Sequence, residues 1–127
     1  MKSIVILGSL LGLLCVSGCG AKSHSLEVIA TAYTSSKGET DSTPSITAWG
    51  DKLTPGMKSI AVSRDLIKMG LTHGVVVSID GLEDKYVVLD KMNKRWTKKI
   101  DIYMGKDRKA ALQWGKKKVV IHWESEK

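Results

Sequence analysis

Two aspartates in the stretch VVLDKMNKRWTKKIDIYMG carry the most chemistry this chain offers. Asp90 and Asp101 each sit at the end of, or inside, an apolar run, and ten residues separate them, five of which are basic: Lys91, Lys94, Arg95, Lys98 and Lys99. A carboxyl among apolar neighbours has its pKa raised towards the range useful for proton donation, whereas nearby lysines favour the anion. The stretch therefore reads in two ways, as a basic loop that grips an anionic polymer or as a carboxyl pair set in basic surroundings.

Other chemistries find less support. The histidines His24, His73 and His122 are far apart and match no zinc-ligand spacing, so no metal and no cofactor is expected. No serine sits in a glycine-flanked nucleophile elbow, and no glycine-rich loop of the kind that cradles phosphate occurs.

The elements that must position the aspartates are mostly strands. LEVIATAY (26–33) alternates apolar and polar residues, and TSSKGETDSTPS (34–45) is a polar loop punctuated by Gly38 and Pro44. Two short apolar pieces follow, Ile46 to Trp49 and Ser59 to Ser63, separated by a turn at Thr54-Pro55-Gly56. RDLIKMG suggests one helical turn ended by Gly70, while GVVVSID and KYVVLD read as a hairpin across residues 81–84. KIDIYM places Ile100, Ile102 and Met104 on one face and Asp101 with Tyr103 on the other. KDRKAALQW is the one clear helix, with Asp107 near its start and Gly115 at its end, and KKVVIHW is a last strand. The fold class is mostly β: six or seven short strands and one short helix, a pattern that suggests a small barrel.

The first eighteen residues stand apart. A single lysine, an apolar run from Ile4 to about Val16 and then small residues have the layout of a secretory signal, too short for a typical membrane span. Val16-Ser17-Gly18-Cys19 resembles the bacterial lipobox, which implies cleavage before Cys19 and lipid on its thiol. The expected organisation is a signal over 1–18, a lipidated cysteine and tether over 19–27, and one domain over 28–124. Export would remove Cys15 and engage Cys19, leaving no disulfide. Of the 127 residues, those after the signal hold 19 basic and 13 acidic side chains, a net charge of +6. An exported basic lipoprotein suits anionic lipid headgroups and cell-wall polymers, and export argues against nucleic acid as a partner.

ATAYT (30–34), ITAWG (46–50), SIAVS (59–63), VVLD ending at Asp90, KID (99–101) followed by IY, and A..QWGKKKV (110–119) occur in an order that resembles the 3D, or three-aspartate, domain family. That family is similar to the catalytic barrel of membrane-bound lytic transglycosylase A and, more distantly, to rare lipoprotein A-like barrels. The resemblance implies a six-stranded double-psi β-barrel whose groove binds peptidoglycan glycan strands. It implies that Asp101 serves as acid and base and that Asp90 supports it. Two features depart from the family pattern. Ser63 stands where a third aspartate is usual, with Asp65 two residues on as a substitute, and KMNKRWTKK replaces a glycine-rich segment.

A lytic transglycosylase cleaves the bond between N-acetylmuramic acid and N-acetylglucosamine without water. The sugar's own 6-hydroxyl attacks, so one carboxyl that gives and then takes a proton suffices. Tyr33, Thr34 and Thr47 lie in the resembling motifs and are expected to hydrogen-bond the glycan. Tyr33, Trp49, Trp96 and Tyr103 fit either stacking on sugar faces or packing at the core and rim. A non-catalytic barrel that holds glycan or an envelope partner through its basic rim is the alternative.

Overall fold

The computed structural model describes residues 22–35 and 45–125. The signal-like segment, Cys19 and the Gly38–Pro44 part of the polar loop lie outside the described residues. Six strands, β1 (Lys22–Tyr33), β2 (Ser59–Val62), β3 (Val76–Ile79), β4 (Lys85–Lys91), β5 (Lys99–Tyr103) and β6 (Lys117–Ser125), close into a barrel in the order β1-β5-β2-β4-β3-β6. The pairs β1–β5 and β2–β4 are parallel, and β2–β5, β3–β4, β3–β6 and β1–β6 are antiparallel.

Alternation decides which side chains fill the interior. Val28 and Ala30 of β1, Ile60 and Val62 of β2, Val77 and Ile79 of β3, Val88 of β4, Ile100 and Ile102 of β5 and Ile121 of β6 are all buried. β-Branched residues dominate because their stiff side chains pack well on a pleated surface. Each such side chain contributes about 1.5–3 kcal/mol by leaving water. Leu66 and Leu71, both fully buried, belong to the same cluster.

Helix α1 (Arg64–Lys68) follows β2 directly, and α2 (Arg108–Trp114) follows β5. The expected single helical turn at RDLIKMG is thus a second short helix, and Gly70 (φ 105°) follows it. Asp107 caps α2 by accepting the Ala110 N–H at 3.0 Å. Trp114 anchors its other end, donating its indole N–H to the Ala30 carbonyl at 3.2 Å.

Two boundaries differ from the sequence reading. Most of the expected tether is strand: β1 begins at Lys22 and pairs with β6 from Lys22↔Ser125 onwards. Its polar side chains concealed this, because they gain their partners across the sheet. His24 bonds Ser125 at 2.7 Å and stacks on Trp123, and Ser25 bonds His122 at 2.8 Å. Ile46–Trp49, in contrast, is a tight loop with a single bridge, Ile46↔Lys52. There the Thr47 hydroxyl accepts the Asp51 N–H at 2.9 Å, and Gly50 turns the chain with φ 90°.

Candidate functional site around Asp90 and Asp101

The alternation of β5 that buries Ile100 and Ile102 turns Asp101 to the opposite face, away from the barrel interior. Register then gives it two neighbours, Thr31 of β1 on one side and Ala61 of β2 on the other. Asp90 of β4 pairs with Ala61 from the far side, so Thr31, Asp101, Ala61 and Asp90 form one row across four strands. Two inter-strand spacings put the Asp90 and Asp101 backbones about 10 Å apart. Ala61 stands between them in this row.

Asp90 reaches this face through an irregularity in the β2–β4 ladder. The register runs Ile60↔Val88 and then Ala61↔Asp90, leaving Leu89 as an extra residue. Without it, Asp90 would share the inward side of Tyr86 and Val88, both buried. A bulge that re-aims one side chain at a strand end is a recurrent device beside active sites.

The two carboxyls have different surroundings. Asp90 Oδ1 accepts the Ala48 N–H at 2.8 Å and the Lys91 N–H at 2.9 Å, which ties it to the 45–53 loop. Asp101 Oδ1 accepts the Thr31 hydroxyl at 2.9 Å. Burial raises the Asp101 pKa above its ordinary value; the Thr31 hydrogen bond and the Lys99 charge oppose the rise, and Asp90 adds to it. Tyr33, two residues beyond Thr31, packs against Tyr103 with ring centroids 5.5 Å apart. Burial first, then the charges of Asp90 and Asp101, push its pKa well above the phenol range. Its hydroxyl is buried with no hydrogen-bond partner among the described residues. A buried phenol O–H without a partner is an unsatisfied donor, and it lies within the electrostatic reach of both carboxyls.

Three of the expected groove residues have other contacts. Thr34 is buried, and Thr47 is buried with its hydroxyl engaged by Asp51. Thr31, absent from the expected set, is the threonine that touches Asp101; only the β1–β5 register, which the sequence does not record, brings it there. Asp65 opens α1 and accepts the Lys98 N–H at 3.0 Å through Oδ2, while Oδ1 is buried without a hydrogen-bond partner. Ser63 accepts the Lys99 N–H at 3.0 Å and donates its own N–H to the Lys99 carbonyl. Together they fasten the end of the basic loop, where Lys98 holds φ 44°.

That loop presents a positive surface. Among the described residues no carboxylate forms an ion pair with Lys91, Lys94, Arg95, Lys98 or Lys99. Lys99 Nζ lies 3.7 Å from the Trp96 ring centroid and Arg95 4.8 Å from it, and Lys91 Nζ is 5.6 Å from that of Trp49. The indoles therefore hold cations rather than standing clear for a sugar. His73 contacts Asp51 and meets Trp49 edge-on, bracing the 45–53 loop.

A concavity of about 520 Å³ lies on the other half of the barrel, lined by residues of β1, β6 and β3. A smaller one of about 250 Å³ borders Tyr103, the ring partner of Tyr33. Among the described residues no group of three metal-ligating side chains gathers. No protein-family model and no curated protein matches this chain.

Proposed function

We propose that the chain is an exported lipoprotein, anchored through lipid on Cys19, whose barrel has the double-psi topology and cleaves peptidoglycan glycan strands as a lytic transglycosylase. The observation that carries this reading is the placement of Asp101, which accepts the Thr31 hydroxyl, and of Asp90 on either side of Ala61 in one row of the sheet. Asp101 starts protonated and gives its proton to the glycosidic oxygen between N-acetylmuramic acid and N-acetylglucosamine. As a carboxylate it then accepts the proton of the sugar's 6-hydroxyl, which attacks the anomeric carbon and closes a 1,6-anhydro ring. Thr31 orients Asp101. Asp90 favours the protonated form of Asp101 by like-charge proximity, and the Tyr33 hydroxyl is the nearby donor for a substrate oxygen.

Purified peptidoglycan incubated with the protein should release anhydromuropeptides, and Asp101→Asn should release none while keeping its fold by circular dichroism. Undiminished release by that variant removes Asp101 from the mechanism.

A second reading, a non-catalytic binder of wall glycan or of an envelope protein, draws support from the unpaired cations of the 91–99 loop and from Ser63 at the position of a third aspartate. It predicts co-sedimentation with cell walls and no soluble products.

A further inference from the structure

Away from the aspartate row, Ser25, His122 and Asp80 form a hydrogen-bonded relay. Ser25 Oγ lies 2.8 Å from His122 Nδ1, and His122 Nε2 lies 2.9 Å from Asp80 Oδ1. Three different elements bring them together. Ser25 of β1 and His122 of β6 are register partners, and Asp80 follows β3, held there by its N–H on the Val120 carbonyl. With a neutral imidazole the arrangement has one consistent protonation pattern. A carboxylate only accepts, so Nε2 must carry the imidazole proton, which leaves the Nδ1 lone pair facing the Ser25 hydroxyl. That is the disposition of a general base against an alcohol, oriented by a third group.

The relay opens into a concavity of about 520 Å³, whose lining includes Ser25 and His122 together with Val75, Val76 and Trp123. Lys85 is the one lysine or arginine among its lining residues, and it pairs in register with Ser78, the β3 neighbour of His122. The space thus combines a nucleophile, a base, an apolar wall and a cation.

We propose that this is a second, serine-dependent acyl-transfer site, acting on carboxylic esters with a small acyl group. Ser25 Oγ attacks the ester carbonyl carbon while its proton passes to His122 Nδ1, and Asp80 stabilises the imidazolium. The carbon–oxygen bond to the alcohol then breaks as His122 returns the proton to the leaving oxygen. Water attacks the resulting acyl-Ser25, gives its proton to His122 and releases the carboxylic acid as Ser25 is re-protonated. Val76, exposed on the same face of β3 as Ser78, provides apolar contact for the acyl group.

The test is a fluorophosphonate probe, which labels serines activated in this way, together with hydrolysis of p-nitrophenyl acetate by the full-length protein. Mass spectrometry of the labelled protein should place the adduct on Ser25, and Ser25→Ala should remove it. His122→Ala should slow labelling and hydrolysis by about 10²-fold, the usual contribution of a positioned base. Asp80→Asn keeps the size of the side chain but offers an N–H to Nε2, which turns the imidazole to the wrong tautomer, and should slow both reactions comparably. All three positions are at least partly exposed, and circular dichroism checks that each variant folds. Absence of label on the wild-type protein, or a rate unchanged in His122→Ala and Asp80→Asn, overturns the proposal and leaves the relay as a clamp between strands.

Discussion

Asp90 and Asp101 lie on strands that do not touch each other, yet both are register partners of Ala61, one from each side of β2. Their separation is therefore set by the width of β2, and the space between their side chains by the smallest side chain that has a Cβ. Ala61→Val should keep the strand, because a β-branched residue suits an extended backbone. Its two extra methyl groups would fill the gap where a sugar oxygen must reach Asp101. Release of anhydromuropeptides should fall by about 10²-fold, the order expected when reacting groups are displaced by an ångström. Unchanged release would show that the glycan does not pass between the two carboxyls.

The pH profile should follow the surroundings of Asp101. A general acid works only while protonated, so activity should be lost as pH rises through the Asp101 pKa, which burial places above that of an exposed aspartate. Thr31→Val and Lys99→Met each remove an influence that lowers this pKa, so the alkaline limb should move to higher pH. Asp90→Asn removes an influence that raises it, and the limb should move down. Rate measurements on purified peptidoglycan across the pH range distinguish the three shifts.

Asp101→Asn should also change stability, with a sign fixed by linkage. The folded pKa of Asp101 is raised above the unfolded value, so its favourable contribution is complete below the unfolded pKa and is lost as pH rises through the folded one. Asparagine cannot ionise, and its carbonyl can still accept the Thr31 hydroxyl. The variant should match wild type in acid and exceed it at neutral pH by about 0.5–2 kcal/mol, as replacements at functionally strained positions commonly do. Thermal melts at both pH values test this; equal melting temperatures at neutral pH would contradict it.

The barrel was legible because alternation in β3, β5 and β6 is a backbone property written directly into side-chain types: Ile100 and Ile102 could face only a core. The position of Asp101 followed from the same rule. Asp90 was harder to place, since plain alternation through Tyr86 and Val88 turns it inward, and only the extra residue Leu89 brings it to the other face. A bulge depends on which strand lies alongside, and a single chain segment does not record its neighbour. The same reason hid Thr31, the strand character of Lys22–Ser25 and the Ser25–His122–Asp80 relay, all of which arise from cross-strand register. The helix at KDRKAALQW was plain from Asp107 and Gly115, which act locally.

The anchored end of the basic loop yields a last prediction. Lys98 holds φ 44°, a left-handed conformation that costs a residue with a Cβ about 1–2 kcal/mol and that glycine adopts without steric cost. Asp65 offsets this by accepting the Lys98 N–H, and Ser63 does the same for Lys99. Lys98→Gly exchanges steric strain for a larger loss of unfolded-chain freedom, so stability should stay within about 1 kcal/mol of wild type. Lys98→Val, which is β-branched, should lower it by at least about 1 kcal/mol. Asp65→Ala leaves the Lys98 N–H without its acceptor and should cost about 1–3 kcal/mol. Because the loop lies between Asp90 and Asp101 in the chain, loosening it should also weaken co-sedimentation with cell walls and shift the Asp101-dependent pH limb as Lys99 moves away. Denaturant titration combined with a pH–rate profile reads both effects, and an Asp65→Ala variant that is destabilised while its pH limb stays in place would separate the loop from the aspartate row.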